Sequence, residues 1–94
     1  MIQHFDIKIF GRVQGVGFRY DAKQRADKLG LTGLARNESN YFYIEVEGEL
    51  AKLKKFIDWC HRGPLWSKVQ QVEVNLGEIK NYTHFTIEHS SELM

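Results

Sequence analysis

The chain has a single cysteine, Cys60, and a single proline, Pro64. One cysteine excludes an internal disulfide, so stability must come from packing, and a reducing cytoplasm is the expected compartment. No apolar run approaches the ~20 residues of a membrane-spanning helix. Met1–Asp6 has no charged stretch followed by an apolar one, so no secretory signal is expected. Without one, the triplets Asn37-Glu38-Ser39 and Asn81-Tyr82-Thr83 read as accidental rather than as glycosylation sites. Charge of one sign is also lacking. A formal net charge of +1 supplies no field to attract nucleic acid or anionic lipid, so any affinity for anions must be local. His4, His61, His84 and His89 lack metal-ligand spacing and have no cysteine pair beside them, which argues for surface histidines and no metal. There is no Gly-Lys-Ser/Thr triplet for a Walker loop and no small residue at position 20 for a dinucleotide fingerprint. Ser39, Ser67, Ser90 and Ser91 sit in no nucleophile motif.

What is present fits one domain over residues 1–94. Ile2–Phe10 alternates as a strand, with Phe5, Ile7 and Ile9 on one parity. Phe18, Ala22, Ala26 and Leu29 repeat at helical spacing, predicting a helix over Phe18–Leu29 that Gly30 closes. Leu31–Asn37 reads as a short strand in which Gly33 marks a bulge or a close backbone approach. A turn over Glu38–Asn40 follows, then a strand over Phe42–Glu47 with Phe42, Ile44 and Val46 facing one way. Leu50, Leu53, Phe56, Ile57 and Cys60 form the stripe of a second helix, Glu49–Arg62, stopped by Gly63-Pro64. On that stripe Cys60 is a packing residue. Val72, Val74 and Leu76 mark a fourth strand. Val69 is out of phase with them, suggesting a bulge or a later start. Phe85 and Ile87 mark a short fifth strand, and Ser90–Met94 reads as a frayed tail. This order predicts an α+β, ferredoxin-like βαββαβ sandwich: two helices on one face of a four- to five-stranded, mostly antiparallel sheet. Such a fold hosts many unrelated functions.

Chemistry is concentrated in Ile9-Phe10-Gly11-Arg12-Val13-Gln14-Gly15-Val16-Gly17-Phe18-Arg19, a strand feeding a glycine-punctuated turn that opens a helix. Such a turn can aim several backbone N–H groups at one point beside the positive end of the helix, which suits a phosphate. A ligand-free connector is the plain alternative. Arg19 tips the balance, because a cation in the first helical turn opposes the macrodipole unless an anion sits there. Its planar fork also suits a phosphoryl group. Arg12, inside the loop, is a weaker candidate.

The segment Gly11–Arg19 resembles the signature of the acylphosphatase family. The resemblance continues through Leu29-Gly30-Leu31-Thr32-Gly33, Arg36-Asn37, Gly48, the helix bearing Phe56, Gly63-Pro64 and the valines beyond. It implies metal-free hydrolysis of acyl phosphates to a carboxylate and inorganic phosphate, without a cofactor or a covalent phosphoenzyme. By position, Gln14, Gly15, Val16, Gly17 and Phe18 would cradle the phosphoryl oxygens through backbone N–H groups. Arg19 would clamp the same group, and Asn37 would hold the attacking water. Inorganic phosphate would be product and competitive inhibitor, and the protein a cytoplasmic monomer with no nucleic-acid or membrane partner. Ala35 stands where a bulkier residue is common, and Asn40-Tyr41 replaces a frequent Asp-Gly turn, which leaves loop shape and substrate access open.

Two other readings compete. A nucleic-acid-binding module of the same fold would need exposed aromatics with basic neighbours. Tyr41 and Tyr43 offer rings, but Glu45, Glu47 and Glu49 bring the wrong charge. A non-catalytic phosphate-binding or carbamoyl-phosphate-handling domain, as found inside larger hydrogenase-maturation proteins, is the other; without such further domains a free-standing enzyme is expected.

Overall fold

The computed structural model describes residues 1–14 and 17–88; the predicted tail Ser90–Met94 lies outside them, as do Gly15, Val16 and His89. Strand β1 (Ile2–Arg12) leads to helix α1 (Phe18–Leu29), then to strands β2 (Thr32–Asn37) and β3 (Phe42–Glu49). Helix α2 (Leu50–Arg62), strand β4 (Lys68–Gly77) and strand β5 (Phe85–Ile87) follow. One five-stranded sheet forms in the order β4-β1-β3-β2-β5. All its pairings are antiparallel except β2 with β5. Helices α1 and α2 touch each other and pack on the same face, the ferredoxin-like arrangement expected from the element order.

The elements depart from the sequence expectation mainly at their ends. β1 runs two residues further than Phe10 because Gly11 and Arg12 still pair, with Val69 and Lys68. Between Phe10 and Gly11 the register shifts: Phe10 faces Gln71 and Gly11 faces Val69. Gln70 is therefore the extra residue of a bulge, and the bulge returns Val69 to the core side beside Val72. Gly33 is a close approach, not a bulge. It sits at φ +146°, and a Cβ there would lie 1.8 Å from the Glu45 carbonyl oxygen. β3 extends to Glu49, so α2 begins one residue later than predicted.

Between the helices and the sheet, Ile7, Ile9, Phe42, Ile44 and Val46 of the strands meet Phe18, Ala22, Ala26, Leu53, Phe56 and Cys60. Trp59, absent from the predicted stripe, joins them at 5% exposure, whereas Leu50 and Ile57 are only half-buried. Its ring centroid lies 5.2 Å from that of Phe18 and 5.8 Å from that of Phe56. Burial raises the Cys60 thiol far above its ordinary pKa, so it packs as an apolar group.

β4 and β5 lie at opposite edges, so the chain joining them crosses the face without helices. There Lys80 and Tyr82 meet Glu45, Glu47 and His4. His4 is not the surface histidine expected from the sequence: it is 1% exposed. Its Nδ1 lies 2.7 Å from Glu47 and its Nε2 2.8 Å from Asp6. The crossing segment buries it. No local pattern in Met1–Asp6 announces a segment arriving from more than seventy residues away.

Candidate active site

β1 and β2 both run antiparallel to β3 and flank it, so they are parallel to each other. Their C-terminal ends reach the same edge of the sheet, about 9–10 Å apart at ordinary interstrand spacing. Topology alone thus brings the segment after β1 to the residue that closes β2. At that edge a concavity of about 80 Å³ is lined by Val13, Gly17, Phe18, Arg19, Tyr20 and Asn37. Arg19 and Asn37, far apart in sequence, share it.

The helix start is open. Gly17, at φ 78° and ψ 16°, turns the chain into α1. Among the described residues nothing lies within 4 Å of where its Cβ would be, so the left-handed backbone rather than crowding demands glycine. The first bond of α1 runs from the Asp21 N–H to the Gly17 carbonyl at 3.1 Å. The amides of Phe18, Arg19 and Tyr20 precede that ladder, and among the described residues no side chain caps them. Their partial positive charge faces the concavity.

Each predicted residue has a distinct position. Phe18 is a core anchor at 2% exposure, its ring 4.8 Å from Phe42, so only its main chain can serve a ligand. Arg19 is half-buried, its guanidinium carbon 6.0 Å from the Tyr20 ring centroid. Among the described residues it forms no ion pair, with Asp21 or any other carboxylate. Asn37, half-buried, ends β2 opposite Phe42. The Gln14 side chain turns to the 38–41 turn, where its amide donates to the carbonyls of Glu38 and, at 3.2 Å, Tyr41. Gly15 and Val16, the middle of the predicted cradle, lie outside the described residues. Arg12 is exposed and lines a separate concavity with Gln14, Ser39, Asn40 and Tyr41. Sequence reading missed Val13 and Tyr20 as lining residues. Tyr20 carried a signal: it follows Arg19 in the same helical turn.

The turn that replaces Asp-Gly is well held. The Tyr41 ring lies 5.6 Å from that of Phe10, with the Lys8 ammonium 5.1 Å from its centroid. The Tyr43 ring carries the Arg36 guanidinium at 4.6 Å, and its hydroxyl donates to Glu45 at 2.8 Å. Both rings that a nucleic-acid reading would need are thus engaged within the protein.

A second polar cluster is engaged by protein groups. His4, Asp6 and Glu45 bring potential metal-ligand atoms within 4.8 Å of one another. Yet Lys80 Nζ already sits 2.8 Å from Glu45, and the Tyr82 hydroxyl donates to the same oxygen. Burial pushes the Glu45 carboxyl up, but hydrogen bonds from Lys80, Tyr82 and Tyr43 outweigh it and hold the pKa down at about 2. Glu45 is thus already neutralised by a protein cation.

Comparison with known proteins points to one family. The family model described as Acylphosphatase matches residues 5–87. A protein named acylphosphatase from Moorella thermoacetica is 45% identical over 89 residues, covering 93% of this chain and 92% of that protein. The crystal structure of acylphosphatase from Bacillus subtilis superposes with a TM-score of 0.89 at 33% identity, covering 94% of this chain and 99% of that one. Full-length HypF in its phosphate- and nucleotide-bound form matches with a TM-score of 0.91 at 38% identity, over 97% of this chain but 12% of that one.

Proposed function

The chain belongs to the acylphosphatase family, hydrolases of acid anhydrides whose substrates are small acyl phosphates, and from that premise we propose that the edge concavity is where the phosphoryl group is held and attacked. The observation that carries this reading is the meeting of Arg19, Asn37 and the uncapped start of α1 around one space. About 80 Å³ suits a tetrahedral oxyanion and falls well below the ~300 Å³ at which larger ligand pockets begin, so the acyl part would project outward.

Main-chain amides from Gln14 to Phe18 cradle the phosphoryl oxygens, and the Arg19 fork donates to them in parallel. Arg19 then sits beside a dianion, which reverses its unfavourable position in the helix dipole. Asn37 is neutral and cannot act as a strong base. Its side-chain oxygen accepts a hydrogen bond from the water and aligns it for in-line attack. An acyl phosphate has a good leaving group, so positioning and charge stabilisation carry the reaction, and the water's proton passes to the substrate. The residues supply no metal-dependent step. A cytoplasmic setting completes the proposal, supported by the lone, unpaired Cys60.

Hydrolysis of benzoyl phosphate by the purified chain tests it. Turnover should fall to a small residual rate in Asn37→Ala while inorganic phosphate still raises that variant's melting temperature. Loss of the phosphate effect as well would make Asn37 a support of the loop. EDTA should leave the rate unchanged. A second reading is a phosphate-binding module without turnover; HypF, a small part of which this chain matches, is a phosphate- and nucleotide-bound structure. Phosphate protection of a wild type with no hydrolysis would select it.

A further inference from the structure

We infer that the side chain of Gln14 is a positioning residue, fixing Asn37 relative to the phosphate-binding segment; this rests on the site reading above. Asn37 is the last residue of β2, and the 38–41 turn follows it directly. The Gln14 Nε2 carries two hydrogens and meets two carbonyls of that turn, Glu38 and Tyr41. The Tyr41 carbonyl also accepts the Glu38 N–H at 2.9 Å, so one amide group grips both sides of the turn where it closes. From the other side, the Arg36 guanidinium binds the Glu38 carboxylate and, at 3.0 Å, Glu88 next to β5. Asn37 is thus bracketed. Arg36 before it ties Glu38 to the sheet, and Glu38 after it is tied to the loop that leads into the helix start.

The link spans a gap the sheet leaves. β1 and β2 are separated by β3, so no ladder hydrogen bond sets the distance between Gln14 and Asn37. Near-attack geometry is sensitive to about 1 Å, and such a displacement can cost up to about a hundredfold in rate. A side chain that bridges the two segments sets where the water sits relative to phosphorus without touching substrate.

Gln14→Met keeps length and removes the donors. On benzoyl phosphate it should lower kcat about tenfold, with the inhibition constant of inorganic phosphate changed less than twofold. Arg36→Gln, which loosens the same turn from outside, should give the same pattern. Added to Asn37→Ala, Gln14→Met should cost no further rate, because its effect passes through Asn37. A purely structural role would lower the residual rate in that background too. Wild-type kcat in Gln14→Met, or a kcat loss matched by weaker phosphate inhibition, overturns the inference while leaving the site intact. If Gln14→Met does not fold, wild-type kcat in Arg36→Gln overturns it equally. A wild type that hydrolyses no acyl phosphate overturns the site reading first, and this one with it.

Discussion

On the helix-free face, His4, Glu45 and Glu47 are each more than nine-tenths buried, and every one is matched by protein groups. Among the described residues no buried side-chain nitrogen or oxygen lacks a partner. At the strand-end edge the situation is reversed. Among the described residues Arg19 has no carboxylate partner, Asn37 makes no side-chain hydrogen bond, and no side chain caps the first amides of α1. Judged by residue type, the first cluster looks more like an active site, with its histidine and two carboxylates. Judged by unmet bonding capacity, the second does. A buried charge must be paired inside the protein or it destabilises the fold, so complete pairing marks structure. Unpaired donors around a small open space mark capacity reserved for a ligand.

The sharpest way to break this contrast is to empty one side of each region. Glu47→Ala leaves His4 and two backbone N–H groups without their acceptor and should destabilise the fold by about 3–5 kcal/mol. Its kcat per folded molecule should stay near wild type; urea titration alongside benzoyl phosphate assays would show whether the costs separate this way. Arg19→Ala should do the opposite. It should lose about 2.7–4 kcal/mol of transition-state stabilisation and weaken phosphate inhibition, with melting temperature nearly unchanged. Near-wild-type activity in that variant would remove Arg19 from the site. Tyr82→Phe deletes one of several donors to Glu45 and should cost only about 1.5–3 kcal/mol.

Acid sharpens the comparison further. Glu45 is held at about 2 and Glu47 below the ordinary carboxylate range, in both cases by hydrogen bonds that overcome burial. A depressed carboxylate stabilises the fold above its unfolded pKa, and that stability fades as pH falls toward the folded value. Stability should therefore hold from neutrality to about pH 5 and decline between about pH 4.5 and 2. In Tyr82→Phe the folded-state pKa of Glu45 rises, so less stability should be lost over that range and the loss should be complete at a higher pH. An acid transition unchanged in Tyr82→Phe would show that the cluster does not govern it.

Much of the fold was legible because burial on one face imposes a period. Phe18, Ala22 and Ala26 gave α1 with both ends correct, and Ile7, Ile9, Phe42, Ile44 and Val46 gave the core side of two central strands. Strand ends were less legible, since they depend on where a partner stops pairing. Val69 makes the point: its parity signalled an irregularity, but only pairing with Gly11 located the bulge. At the site, glycine spacing and Arg19 pointed to the helix start, while Tyr20 entered the concavity unpredicted.

By itself the sequence determined the α+β element order, the apolar face of each element and a helix that begins with a cation where a cation is unfavourable. These are local properties, set by backbone preference and by alternation at periods of two and 3.6. Only the tertiary structure decided that Arg19 and Asn37 share one edge, because this follows from β1 and β2 lying parallel on either side of β3. It alone also decided that His4, Glu45 and Glu47 are buried and paired, because the segment that covers them arrives from the far end of the chain.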